Sequence, residues 1–399
     1  MILFLSYVVG FMSVSSAPET SGKPPIIWLN TLVFAITFAI SAIGVPWYGI
    51  TYGFSTGMIV ALLGTIAFAG ISITAGYHRL WAHKTYDAHW SLRILFALGG
   101  ALAVQNSALH WSSDHREHHK HVDDNDHDPY SAKRGFWYSH IGWMLREYQA
   151  SKYSNYDNVK DLQQDPIVMW QHRHYLLLTL ITTIGWPIAI GFMLGDVWGA
   201  VLLVGFARLV INHHTTFFIN SLAHIWGKQT YTDRNTARDN GFLAFLTFGE
   251  GYHNYHHIFS ADYRNGIRWW HFDPTKWLIR SCSWLGLTKN LKRTNGYQIE
   301  KARLAMQFKR LQDKAPIACE NTRERLHEEY DALMLRLREY YQARKQLLDT
   351  KAKALADQMH LITLAELQQK VIEMREALQT HKREFRRLMQ TVMQQRSIA

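Results

Sequence analysis

Three histidine motifs lie just beyond long apolar runs, and that placement limits the folds open to this chain. The runs fall at roughly 27–45, 54–76, 91–109, 175–194 and 197–219, most of them near the ~20 residues with which a helix crosses a bilayer. His78 to His83 follows the second run, His115 to His119 the third, and His253 to His257 comes after the fifth, with His224 in between. If the third run crossed fully, the first two motifs would lie on opposite membrane faces and could not share a site. The 91–109 run contains Gly99, Gly100, Gln105 and Asn106, and it is expected to lie in the interface or to fold back against the protein. Four spanning helices in two hairpins remain, an all-α integral membrane domain.

Charge sets the sidedness. The loops near 44–56 and 194–197 contain no Lys or Arg, whereas 77–173 carries Arg79, Lys84, Arg93, Arg116, Lys120, Lys133, Arg134 and Arg146. By the positive-inside rule all the histidine motifs, and both termini, are expected on the cytoplasmic side. The formal charge of +11 is spread over loops and tail with no nucleic-acid motif beside it, so nucleic acid is excluded as a partner. Cys282 and Cys319 are the only cysteines, which rules out a disulfide framework and a Cys-x-x-Cys site. Residues 1–14 are apolar but lack a basic start and are too short to span, so no cleaved signal peptide is expected.

Three parts are expected: an N-terminal segment and linker at 1–25, a membrane domain at 26–297, and a helical extension at 298–399. In the extension Leu326, Tyr330, Leu333, Leu337, Tyr340 and Leu347 recur in steps of three and four, as do Leu364, Leu367, Val371, Met374, Leu378, Phe385, Leu388 and Val392. This is the periodicity of two amphipathic helices, read as a helical hairpin or coiled coil, or as two arms of an oligomer. Thr363 and Glu366 form a capping-box pattern between them. Pro316 is expected to end an earlier helix starting near Gln298. The tail histidines His327, His360 and His381 are read as surface residues.

Imidazole is a common ligand of iron, copper and zinc, and so many in one place suit two metals better than one. In a helix of 3.6 residues per turn, His115 shares a face with the pair one turn later, while His118 and His119 diverge by about 100°. Such a doublet can send one ring to each of two metals, and His256 with His257 repeats it. The step of five from His78 to His83 rotates about 140°, so those two converge only if the helix distorts or the metals sit off its end. Asn220 shares a face with His224 and could hold a metal-bound water. Bound histidines usually have the second ring nitrogen held by a carboxylate or carbonyl, and Asp114, Asp123, Asp124, Asp126, Asp128 and Glu250 are available. The remaining histidines outside the tail, among them His89, His110, His121, His127, His140, His172, His174, His213, His214 and His271, are read as packed or solvated.

At these motifs the chain resembles the membrane-bound fatty acid desaturases, particularly the acyl-CoA delta-9 branch that includes stearoyl-CoA desaturase. The likeness runs from about 26 to 290 and includes Thr74-Ala75-Gly76-Tyr77 before His78, Arg134-Gly135-Phe136, and Ser139-His140-Ile141-Gly142-Trp143. It implies that His78, His83, His115, His118, His119, His224, His253, His256 and His257 bind two irons as a cytoplasmic di-iron cap, with Asn220 acting through a water. It implies O2-dependent insertion of a cis double bond into a long-chain acyl-CoA, between carbons 9 and 10, in an apolar tunnel whose bend is lined by Gln105 and Trp111. Leu62 and Ile66, several turns before His78, are expected to close that tunnel. Ser113 and the Arg146-Glu147-Tyr148 segment depart from basic positions of the animal enzymes, which weakens the headgroup assignment, and Lys133 and Arg134 are still expected to meet phosphate. An acyl-lipid is the second substrate choice.

No His-Pro-Gly-Gly segment of a fused b-type cytochrome is present, so an external donor is expected, whether a cytochrome, a ferredoxin or a rubredoxin. A bacterial inner membrane is expected over endoplasmic reticulum. Competing readings are a membrane di-iron hydroxylase or ketolase, a scaffold recruiting partners through its tail, and a metal transporter.

Overall fold

The computed structural model describes residues 23–149, 155–314, 320–354 and 361–395. The readings made for residues 1–14, for the first part of the linker, and for Pro316, Cys319 and His360 lie outside these. The described chain divides into two compact units, one reaching Gln229 and resuming from Arg234 to Arg293, the other formed by Thr230–Asp233 and the chain from Thr294 onward.

Among the described residues of the first unit four helices are long and apolar enough to cross a membrane: α1 (Trp28–Thr51), α2 (Thr56–Ala82), α6 (Tyr175–Leu194) and α7 (Val197–Ile225). They mark a multi-pass membrane protein. The third apolar run does not make a straight span. It forms α3 (Trp90–Ala103) and α4 (Ala108–His121), bent by 80° at the break between them. A short helix, α5 (Pro166–Arg173), follows, capped by Asp165, whose carboxylate accepts the amides of Ile167 and Val168. At the end of the bundle whose loops lack Lys and Arg, Asp196 accepts the Gly199 amide at the start of α7 and the Tyr48 hydroxyl of α1 at 2.7 Å, tying the two hairpins together.

The break at 104–107 exposes the last carbonyls of α3 and the first amides of α4, groups that must be satisfied at this depth. Val104 and Asn106 both take left-handed backbone, with φ of 55° and 70°. Arg208 of α7, fully buried, donates to the Leu102 carbonyl at 2.6 Å. His213, one and a half turns on, donates through Nε2 to the carbonyls of Ala103 and Val104 at 3.1 and 3.2 Å. On the other side Gln171 of α5 donates to the Ala97 carbonyl and accepts the Ala108 amide at 2.9 Å, while Ser107 caps α4 through the His110 amide. Both sides of the break are thus closed by side chains from neighbouring helices.

The last eleven residues of α2, Ser72–Ala82, are wound as a π-helix and wholly buried. The chain then pairs Asp87–Ala88 with Thr288–Lys289 as a two-residue antiparallel ladder, which returns the end of the unit to the foot of α3. Near its end the unit also carries α8 (His253–Ile258) and α9 (Pro274–Trp284).

The second unit is a three-helix assembly of α10 (Gly296–Lys314), α11 (Glu320–Ala354) and α12 (Leu361–Gln395). The periodic residues Leu326, Leu333, Leu337, Leu378, Phe385 and Val392 share a core to which α10 adds Leu304, Phe308 and Leu311. The hairpin read from periodicity therefore has a third member. Thr363 falls inside the first turn of α12 rather than before it. His381, read as a surface residue, is 3% exposed and contacts Glu329 at 3.0 Å. It sits on the apolar side because its ring completes the helix contact while the carboxylate takes its polar edge.

Replacing Arg208 by Leu leaves the Leu102 carbonyl without its donor, a loss of about 1–3 kcal/mol for a buried unsatisfied group. The variant is expected to unfold at lower temperature in detergent micelles, with Arg208→Lys intermediate. Equal melting of Leu variant and wild type would contradict the clamp.

Candidate metal centre

A turn closed by an i to i+5 hydrogen bond returns the fifth residue to the face of the first. The His83 amide donates to the His78 carbonyl at 3.0 Å, and the two rings lie 4.8 Å apart. The distortion needed for this motif to converge is the π-winding at the end of α2. It is held by Arg79, which is 1% exposed. The guanidinium donates to Glu250 at 2.8 Å, to Asp273 at 3.1 Å and to the Tyr263 carbonyl at 2.9 Å. Asp273 also caps α9 at Lys276 and accepts the amides of Asn265 and Gly266. One buried cation thereby joins the end of α2 to the segments before and after the third motif.

The nine motif histidines gather into two groups. His78, His83, His115, His119 and His256 form one, and His118, His224, His253 and His257 the other, with ligand atoms within 4.8 Å of one another in each. Each doublet is split: His119 and His256 fall in the first group, His118 and His257 in the second. Asn220 stands at the end of the regular helix preceding His224 and lines the cavity described below.

The acids divide clearly. His78 Nδ1 lies 2.9 Å from Glu250, and His118 Nδ1 lies 2.8 Å from Asp128. His224 Nδ1 meets the Thr236 hydroxyl at 2.8 Å, and Thr236 is in turn held by Asp123 through its hydroxyl and amide. His115 Nδ1 meets the Tyr130 hydroxyl at 3.3 Å. Asp114 instead faces His110, and Asp124 faces His127. Arg79, Asp273, Tyr130 and Thr236 were not singled out by sequence. Their signal, adjacency to the motifs, does not distinguish them from other polar neighbours.

Burial, followed by repulsion from neighbouring imidazoles, holds His83, His115, His119, His253, His256 and His257 well below the ordinary histidine value. The rings are therefore neutral and their lone pairs free. Burial works to raise the Glu250 carboxyl, but His78 and Arg79 bring it below its usual value.

The spacing of the ring nitrogens tests whether a metal fits. Nε2 atoms approach at 3.0 Å between His78 and His256, 2.8 Å between His83 and His115, 3.0 Å between His256 and His119, and 3.1 Å between His253 and His224. Neighbouring ligands on a cation with bonds of about 2.1 Å at right angles stand about 3.0 Å apart. A chain of neutral imidazoles sharing single protons could not satisfy His256 Nε2 facing both His78 and His119 as well as a cation does. The donor set fits metal ions.

Beside the groups lies a cavity of about 230 Å³ lined by α1, the α3–α4 break, α4 and α7. Two of its walls are shared with the histidines. Trp111 stacks on His115 with centroids 4.7 Å apart, and the Tyr130 ring lies 4.5 Å from His118. Gln105 lines the cavity at the break and donates to Thr216 of α7 at 2.8 Å.

Leu62 and Ile66 are not brought to this cavity: Leu62 packs with Ile190, Ala200 and Val204, and the Ile66 carbonyl accepts from Asn212. Counting turns along α2 does not give the direction of a side chain, and Leu62 faces α6 and α7. Arg134 lies over the Tyr138 and Tyr148 rings at 4.1 and 4.7 Å, while Lys133 is exposed.

The profile of the fatty acid desaturase family matches residues 53–287. Acyl-CoA desaturase 1 of Saccharomyces cerevisiae is 46% identical over 249 residues, 62% of this chain and 48% of the yeast protein. The sn-2 palmitoyl-lipid 9-desaturase of a Nostoc species is 36% identical over 279 residues, 69% of this chain and 93% of its own length. Stearoyl-CoA desaturase 4 of Mus musculus is 35% identical over 292 residues, 70% and 80% of the two chains. The chain spans about half the length of the yeast relatives it matches, 48% and 57%.

Partners of metal-bound histidines are worth 10- to 100-fold in metal affinity. Asp128→Asn is expected to lower affinity at the four-histidine group by that factor, read as metal per chain after dialysis against graded chelator. Unchanged retention would exclude Asp128 from that role.

Proposed function

The chain belongs to the fatty acid desaturase family, and from that premise we propose that it inserts a cis double bond between carbons 9 and 10 of a long-chain acyl-CoA. The overall reaction removes two hydrogens from adjacent methylenes, and these, with O2, two electrons from an external carrier and two protons, end as two waters. The nine histidines are assigned to two irons, five nitrogens to one and four to the other, with Asn220 acting through a water. Bound iron with O2 supplies the oxidising power that acid, base or nucleophile chemistry lacks for an unactivated carbon–hydrogen bond.

The observation that carries the assignment is the shared wall. Trp111 and Tyr130 face the cavity on one side and the two histidine groups on the other, so an acyl chain there passes directly beside both. Gln105, tied to Thr216, shapes the bend and fixes which carbons sit against that wall, the positioning on which such selectivity depends. Buried neutral imidazoles and apolar neighbours exclude water from the reacting carbons. Exposed Lys133 and Arg134 are assigned to the CoA phosphates. An acyl-lipid is favoured instead by one feature: the cavity is lined by Asp114 and Glu147 but by no Lys or Arg, and polyanionic CoA gains nothing from such a mouth. Purified protein offered each substrate distinguishes the two.

The absence of Lys and Arg from the loops at one end of the four helices supports a cytoplasmic cap with both termini on that side. The relatives are mostly eukaryotic, from yeasts, mammals and moths, beside one from a Nostoc species, and they lend the expected bacterial inner membrane no support. A cytochrome, ferredoxin or rubredoxin is the class of donor proposed. The helical unit at the C-terminus is assigned an accessory role, including self-association.

Expression in a desaturase-deficient host with a competent donor is expected to yield a cis-monoene that disappears in His118→Ala and in His256→Ala. A hydroxylated product would move the chain to the hydroxylases, and no product would favour a scaffold. Deleting residues 300–399 is expected to leave desaturation in place. Gln105→Ala is expected to broaden the double-bond position among products while metal content stays at the wild-type level. A single unchanged isomer would remove Gln105 from the bend.

A further inference from the structure

Beyond the nine motif histidines, α4 ends in another, and the loop after it returns to meet it. His121, Asp124 and His127 each offer a ligand atom within 4.8 Å of the others. The two imidazole rings lie nearly parallel, 5.0 Å apart at 26°. Glu117, one turn back on α4, places Oε2 3.7 Å from His121 Nε2. We propose that His121, Asp124 and His127, with Glu117 in reach, form a third metal site that takes an exchangeable first-row divalent cation of the zinc type.

Three properties support this. First, the donors are mixed, two imidazoles and up to two carboxylates, a set suited to zinc and to similar borderline cations. It differs from the all-nitrogen buried groups. Second, the donors are accessible: the His127 side chain is 55% exposed and that of Asp124 42%, so an ion can enter and leave without opening the core. Third, the frame is already ordered. His121 closes a helix whose preceding turn carries His118 and His119. Asp124 is fixed by the amides of Asp126 and His127, at 2.9 and 3.3 Å. The end of the loop is pinned by Asp128, which accepts the Asp123 amide at 3.0 Å and holds His118. A cation binding there has little chain left to order, so less of its binding energy is lost. Residues 117–128 also carry five carboxylates against one lysine, a field that attracts divalent cations.

A solvated loop face with no ligand is the plain alternative, and zinc counting separates the two. Full-length, iron-loaded protein in detergent micelles is titrated with Zn2+ against a chromophoric chelator, and zinc and iron per chain are measured together. The wild type and a His327→Ala control, altered at an exposed histidine of the other unit, are expected to take up one zinc with iron unchanged. His121→Ala and His127→Ala are each expected to weaken that zinc at least tenfold. Asp124→Asn, a change on an exposed loop, provides the same readout if a histidine variant fails to fold. Equal zinc affinity in the variants, no zinc uptake by the wild type, or zinc uptake matched by loss of iron would each overturn the third site.

Discussion

The Arg79 guanidinium, buried with Glu250 and Asp273, is the contact on which the rest of the centre depends. An isolated charge at this depth would be prohibitive, and a paired one gains little net stability over an apolar core. Removing one partner, however, typically costs 3–5 kcal/mol because the other charge is left buried and alone. That asymmetry makes the network a device for fixing arrangement rather than a source of stability. Arg79 follows His78 on the π-wound end of α2, and Glu250, which it holds, also meets His78 Nδ1. The same guanidinium therefore sets the winding of the helix, the orientation of its first histidine and the position of the segment leading into His253.

Around that node the fold concentrates polar groups that would be unfavourable anywhere else. Nine imidazoles, most held neutral by burial, point nitrogens at one another at about the spacing of ligands on a cation. A metal ion held there would add to the stability of the fold, because binding energy at a site absent from the unfolded chain is folding energy. The carboxylates behind the rings serve a different end. Asp128 and Glu250 fix which nitrogen of His118 and His78 faces inward, and Asp123 does so for His224 through Thr236.

Much of this was legible in sequence where periodicity and length govern. The apolar runs correspond to the four long helices, and the need for the motifs to share a side separated out the 91–109 run, which is broken at 104–107. The 100° divergence between adjacent helical residues accounts for the way His118 and His119 part. What sequence did not convey depends on pairings distant along the chain. The π-winding that unites His78 with His83 has no local signature in 72–82. The choice of Glu250 for His78 and Asp128 for His118, from six available acids, follows from how α2, α4 and the loops meet. Leu62 and Ile66 do not line the cavity, and so apolar a helix carries no amphipathic mark to show which way its residues point. His381 was read by residue type alone, and its ring fills a helix contact because Glu329 takes its polar edge. The third helix of the tail was recognised only as a segment ending near Pro316, and its apolar face became meaningful once the other two were paired.

The cavity and the histidines are held in one frame by α7. Arg208 and His213 grip the carbonyls at the end of α3, Thr216 holds Gln105 at the break, and His224 belongs to the four-histidine group, all on a single helix. Thr216 lies one turn before Asn220, where the regular helix ends, and the turn at Ser221 leads directly into His224. On the opposite wall α4 carries Trp111 and His115 one turn apart. In the proposed function an acyl chain bent at Gln105 would lie between α4, whose His115 belongs to the five-histidine group, and α7, whose His224 belongs to the four-histidine group. In the proposed reaction the bond position would then be a property of helix lengths and of the clamp at 102–105, rather than of any group that touches the reacting carbons.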